Sequence, residues 1–239
     1  MSLEHLPTSF ASTRDALHQL AFFALSPARY AEVGRMGLRA APGGFGTPLY
    51  NGSVARVEGD LLVFEKDGNV ASRTITTIRD AAHFFGVEYQ VGWFPDFHDP
   101  LAPADPDVSL GVDRESALAL GAWFEFGFDM LDRVGSTGSE DDDASEVQLW
   151  PEHFDPALEM GDPGRVRRAS YGASPGDAAH PQPYLYVAPW GEIDRSDAFW
   201  NDVSFGGASL GYAELLVADD PVERAMEFLI GGYDALHAG

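Results

Sequence analysis

From Leu17 through Leu20, Ala21, Ala24 and Leu25, apolar residues recur three and four positions apart, the spacing that lines one face of a helix. Ser12-Thr13-Arg14-Asp15 precedes them with an acid three residues after a capping residue, which predicts a helix opening at Ser12. Pro27 suits the first turn of a second short helix that reaches about Val33. Between Gly37 and Thr76 the period changes. "SVARVEG", "DLLVFEK" and "VASRTIT" are short β-branched runs separated by Gly59-Asp60 and Asp67-Gly68-Asn69, the pattern of an antiparallel meander closed by tight hairpins. "APGGFGTP", just before them, reads as a turn-rich loop, and "TTIRDAAHFFG", just after, as a short helix ended by Gly86.

The stretch 95–113 holds Pro95, Pro100, Pro103 and Pro106 with several aspartates and reads as a loop. Asp113 caps a helix from about Arg114 to Val134. It is apolar nearly all round, which marks a central buried helix. Glu125, Asp129 and Arg133 stand four apart on one face, a solvated stripe with an Asp129–Arg133 pair. "GSTGSEDDDAS" reads as a polar, acidic linker. Beyond it, "EVQLWPEHF", "RVRRASYGAS", "PYLYVAPW" and "SLGYAELLVA" read as four strands. Asp219 or Asp220, with Pro221, opens a last helix carrying Met226, Phe228, Leu229 and Tyr233. The expectation is an α+β protein with two small antiparallel sheet units and packed helices. Residues 1–134 form an N-terminal unit, 135–146 an acidic linker and 147–239 a C-terminal unit, the two alternatively merging into one domain.

Composition narrows the function classes. A net charge of −23, with 15 basic residues against 38 acidic ones, opposes binding to nucleic-acid phosphates and to anionic membrane surfaces. It leaves a basic protein or a cation as a partner, with plain solubility through self-repulsion as the ordinary reading. No apolar run approaches the length of a membrane span, and the N-terminus has no basic region followed by an apolar one. Cysteine is absent, which removes disulfides, thiolate metal ligands and cysteine nucleophiles together. These features point to a cytoplasmic protein. Lys66 is the only lysine in a chain rich in Ala, Gly, Arg and Pro, a bias of the kind high-GC bacterial genomes produce.

The candidate chemistry centres on "LWPEHFDP" (149–156). On a strand, Pro151, His153 and Asp155 share one face and Trp150, Glu152 and Phe154 the other. A His and a carboxylate two apart on one face are able to co-ligate a metal or form an orienting hydrogen bond; the ordinary reading is a structural strand with its polar side in water. "WFPDFHDP" (93–100) has a similar pattern, so His98 and Asp99 join His153 and Asp155 as candidate ligands for zinc, manganese or iron. Asp177 and His180, in "YGASPGDAAH", are further candidates, against a plain Pro-Gly turn. Two G-x-S-x-G matches fail as nucleophile elbows. After Ser174 comes Pro175, which has no N–H to serve as an oxyanion donor, and Ser209 has no preceding βαβ series. "APGGFGTP" lacks the Gly-Lys-Ser/Thr ending of a phosphate loop.

Taken as a set, "LWPEHFD", "YGASPGD", "PYLYV" with Pro189-Trp190, and "FWN" resemble a family of bacterial proteins of unknown function over about 147–230. The resemblance implies that these stretches form one unit, and brings with it no activity and no site residue.

Three readings follow. The first is a binding module whose small-molecule or metal pocket draws on Trp150, Glu152, His153, Tyr184, Tyr186 and Trp190. The second is a metal-assisted hydrolase or isomerase, in which a divalent cation held by His and carboxylates activates water; convergence of His98, His153 and His180 would favour it. The third is an acidic interaction domain that meets a basic protein.

Overall fold

Ser9, not Ser12, precedes the first helix. In the computed structural model, which describes residues 3–94, 100–162 and 167–237, α1 spans Phe10–Leu20. It continues without a break through a π-helical turn at Ala21–Leu25 into α2, Ser26–Val33. All five residues of the π turn are buried, and "AFFAL" offers no polar position to turn towards water. Gly34, at φ 66°, ends α2 in the left-handed conformation.

The described residues form two compact units. One comprises Leu6–Glu125 and Leu149–Phe154, the other Met1–His5, Phe126–Gln148 and Asp155–Gly239. The first unit holds α1, α2 and a five-stranded antiparallel meander in chain order: β1 Arg39–Ala41, β2 Gly44–Gly46, β3 Ser53–Glu58, β4 Leu61–Lys66 and β5 Asn69–Thr74. The glycine-rich run read as a loop is therefore strand β2. Its glycines answer to crowding: a Cβ on Gly44 would sit 2.3 Å from the Val57 carbonyl oxygen, and one on Gly121 would sit 2.6 Å from the Gly44 nitrogen. A helix and a strand approach here with no room for a side chain.

In the same unit, α3 (Ile78–Phe84) is capped by the Thr77 hydroxyl, which accepts from the Asp80 N–H. Helix α4 (Arg114–Gly135) is capped by Asp113, which accepts the Ser116 N–H at 2.9 Å and the hydroxyls of Ser9 and Ser116. The core includes Phe45, Phe124 and Phe154, which meet edge to face at 5.0–5.9 Å. Residues 126–135 of α4 belong to the second unit; within it the expected Asp129–Arg133 pair forms on the exposed face at 3.0 Å.

The second sheet contains β6 Gln148–Trp150, β7 Asp155–Met160, β8 Ala169–Ser174, β9 Tyr184–Pro189 and β10 Ala208–Gly211, in the order β10-β9-β8-β7-β6. Two expected strands are shortened. "EVQLWPEHF" stops at Trp150, because Pro151 has no N–H for a ladder and the Phe154 N–H turns back to the Trp150 carbonyl at 2.7 Å. Phe154 consequently adopts φ 57°, and the strand alternation expected for Pro151, His153 and Asp155 does not arise. "SLGYAELLVA" is a strand only to Gly211, whose N–H is accepted by the Glu214 carboxylate; this opens α5, Tyr212–Leu216.

Helix α6 (Pro221–His237) is capped by Asp220, which accepts from the N–H groups of Val222 and Glu223. The acidic segment before β6 is anchored to it. Asp142, 3% exposed, accepts the Ser139 N–H at 2.6 Å, the Ser139 hydroxyl at 2.8 Å and the Tyr233 hydroxyl at 2.9 Å, with the His237 Nε2 3.5 Å away. Burial alone would raise this carboxyl; the Ser139 and Tyr233 bonds and the His237 charge outweigh it and hold it below the ordinary value. The stabilisation is present above the usual aspartate range and is lost as pH falls through the lowered value. Asp142→Asn should cost about 2 kcal/mol at pH 7. In urea melts the gap between variant and wild type should narrow as pH falls below the ordinary aspartate range.

Candidate functional site

The strand register sorts the second sheet into two faces. Ala157 pairs with Gly172, Gly172 with Tyr186 and Tyr186 with Ser209, so these share one face with their alternate neighbours Asp155, Glu159, Ser170, Ser174 and Tyr184. The opposite face carries Leu158, Tyr171 and Val187 and is covered by helices. A Cβ on Gly127 of α4 would meet Ala173 at 2.5 Å, and one on Gly232 of α6 would meet Val187 at 2.7 Å. Apart from Tyr171, the polar side chains of β7 to β10 therefore gather on the face turned away from the helices.

Two tyrosines organise that face. The Tyr186 ring lies flat across Gly172, where a Cβ would come within 2.3 Å of it, and its hydroxyl donates to Asp155 Oδ2 at 2.6 Å. Burial, then the Asp155 charge and hydrogen bond, push this phenol well above its ordinary value. The Tyr184 hydroxyl donates to Asp177 Oδ2 at 2.8 Å and accepts from Ser174; burial again raises it. The Asp177 Oδ1 accepts the N–H groups of Ala179 and His180, closing a turn at 177–180 just after the Pro175-Gly176 pair.

The His180 ring lies tilted by 38° against Tyr184, with centroids 4.4 Å apart. Its Nε2 lies 2.9 Å from Asp202 Oδ2 and donates to it, and its buried Nδ1 makes no hydrogen bond, with Asp177 Oδ1 3.7 Å away. Burial would raise both carboxyls. For Asp177 the bonds from His180, Tyr184 and Ala179 outweigh it, and for Asp202 those from Ser204 and Ser209, with the His180 charge helping each; both carboxyls lie below their ordinary values. The result is a row of ionised carboxylates and neutral phenols. The bond to Asp202 leaves Nδ1 as the one nitrogen of His180 able to take a proton, and that atom is buried out of reach of a bound molecule.

Exposed rings lie beside this row. Trp190, 58% exposed, donates its indole N–H to Ser170 at 3.0 Å, and the Arg168 guanidinium sits 5.2 Å from its ring centroid. Arg168 also pairs with Glu159 at 3.4 Å. Phe205, 39% exposed, packs edge-on against Tyr186 at 5.9 Å. Its loop is fastened by Asp202, whose N–H donates to the Gly207 carbonyl, and by Asn201. The Asn201 amide accepts the Ser209 N–H at 2.9 Å and donates to the Ser209 carbonyl at 3.0 Å, standing in for a neighbouring strand on the edge of β10.

Of the residues singled out from sequence, Asp155, Asp177, His180, Tyr184, Tyr186 and Trp190 belong to this unit; the first five form two hydrogen-bonded groups, Asp155 with Tyr186 and Asp177 with His180 and Tyr184, joined where the Tyr184 and Tyr186 rings lie 6.2 Å apart. Trp150, Glu152 and His153 belong to the other unit. There Trp150 is half-buried at the end of β6 and His153 is exposed. Burial raises the Glu152 carboxyl, with the nearby His153 charge opposing, and its Oε2 is buried without a hydrogen bond. His98 and Asp99 lie outside the described residues. Among the described residues no group of three His, Asp or Glu side chains is placed to hold a metal ion.

Sequence reasoning missed Asp202, Asn201 and Phe205. The one local signal was Asp-x-Ser at 202–204, where Ser204 donates both its N–H and its hydroxyl to Asp202. A search of the chain against protein-family models, curated proteins and solved structures found no match. No helix among the described residues is long and apolar enough to cross a membrane.

Proposed function

We propose that this chain works by binding, and that the helix-free face of its second sheet takes a small organic molecule bearing a positive charge. One observation carries this reading: aromatic rings and carboxylates gather on one sheet face and the loop beside it, with Trp190 open to solvent beside them. A cation is attracted to a ring face and to a carboxylate alike, and neutral phenols add hydrogen-bond donors without adding charge. The Arg168 guanidinium, placed 5.2 Å from the Trp190 ring centroid and paired with Glu159, supports the reading. With its Nε2 bonded to Asp202 and its Nδ1 buried, His180 has no nitrogen turned to a ligand, which supports binding over proton-transfer chemistry.

The test is a titration with choline and with its neutral isostere 3,3-dimethyl-1-butanol, followed by tryptophan fluorescence and calorimetry. Choline should bind saturably and the isostere should not. Trp190→Ala should weaken choline binding about five-fold, the equivalent of about 1 kcal/mol for a partly exposed cation–ring contact. Equal binding of the two compounds, or no saturation with choline, would overturn the reading.

A further inference from the structure

Among the described residues, two of the four outer strands have a backbone edge engaged within the chain, and the residue before a third is engaged as well. Asn201 occupies the edge of β10 at Ser209. Leu149 of β6 and Leu38, the residue before β1, exchange two backbone hydrogen bonds at 2.8 and 2.9 Å. Strand β5 is different: it is the terminal strand of the first sheet, and all six of its residues are exposed. It has neither proline nor a bulge, and Arg73 is its only charged side chain, drawn over the Phe84 ring at 5.6 Å. Natural sheets usually blunt such an edge with prolines, charges or a covering segment.

The phase of the ladder shows what this edge offers. The Ile75 N–H donates to the Asp60 carbonyl, so the odd-numbered residues of β5 turn their backbone towards β4. Val70, Ser72 and Thr74 therefore turn their N–H and C=O groups outward. Laid antiparallel on its own copy about a two-fold axis at Ser72, the strand pairs Ser72 with Ser72, Val70 with Thr74 and Ala71 with Arg73. Every outward group then meets an outward group, β-branched residues oppose each other, and no like charges stand directly opposite.

The geometry points to this edge as a homodimer interface, in which β5 pairs with β5 of a second copy across a two-fold axis. Self-complementarity selects a second copy over an unrelated strand, since the same register satisfies both partners at once. The net charge of −23 on each copy works against association, so added salt strengthens the dimer.

Light scattering after size exclusion, at 100 µM protein in 50 mM and in 500 mM NaCl (concentrations on the order used for weak dimers), tests the proposal. The expected result is a species of twice the 25.8 kDa chain mass that gains population at the higher salt. Ser72→Pro removes an outward N–H at an edge position where proline is tolerated, and Ser72→Lys places two ammonium groups across the axis. Both variants should be monomeric with the circular dichroism and melting temperature of a folded chain. A wild-type monomer at both salt concentrations, or a dimer that both variants preserve, would overturn the proposal.

Discussion

Phe154→Gly is expected to leave the protein more stable than Phe154→Ala, the reverse of the usual order. Either change removes a ring that is 1% exposed, stacked on His18 at 5.0 Å and packed edge-on against Phe45 and Phe124. Loss of such a ring costs about 4 kcal/mol. Phe154 also holds φ 57°, a left-handed conformation that costs a residue with a Cβ about 1 kcal/mol and costs glycine almost nothing. Alanine keeps that strain and glycine releases it. Urea melts followed by tryptophan fluorescence should place the alanine variant about 4 kcal/mol below wild type and the glycine variant about 3. The ordinary order, with glycine the less stable, would mean that the turn at 151–154 relaxes when the ring is lost.

The second large effect is in pH. His18 donates its Nε2–H to the Pro151 carbonyl at 2.9 Å. Burial pulls its pKa down from 6.5 to about 4, against the raising influence of the Pro151 and Glu152 carbonyls and of Asp15. The folded protein thus resists a proton that the unfolded chain accepts. The sign follows: unfolding stability falls as pH drops from about 6.5 towards 4, and below that the loss is complete. Its full size is on the order of 3 kcal/mol. His18→Gln keeps an N–H for the Pro151 carbonyl and carries no titrating group, so its stability should be nearly flat across that window while the wild type declines. Equal slopes for the two would show that His18 is not the group responsible. The Asp142 effect acts in a separate, more acidic window, which keeps the two distinguishable.

Elements carried by side-chain pattern and capping were legible in the sequence. The β3–β4–β5 meander follows from β-branched runs and Asp67-Gly68, and α4 and α6 follow from Asp113 and from Asp220-Pro221. Elements set by close approach were not. Gly44 and Gly46 look like loop residues until the backbone of β3 is seen against them. The π turn left no mark, because an all-buried run of five apolar residues has no polar residue to report its phase. The strand over 149–156 was lost to Pro151, whose missing N–H counted for more than the flanking apolar residues. On the site, the strand read in "PYLYVAPW" carries Tyr184 and Tyr186 on one face, but the loop residues that complete it, Asp202 and Phe205, approach from positions that only the fold of residues 200–207 decides.

The π turn at Ala21–Leu25 also fixes a rule of counting for the first helix. Closing i to i+5 makes a turn one residue longer than the α-helical turns on either side, and each residue of an α-helix advances about 100°. The turn is buried throughout, as are Leu17 and Leu20 before it and Ser26, Pro27, Ala28 and Arg29 after it. Deleting one residue at this turn would tighten it into ordinary α-helix and leave α1 and α2 in their present phase, whereas a deletion inside either helix would turn the residues beyond it by about 100°.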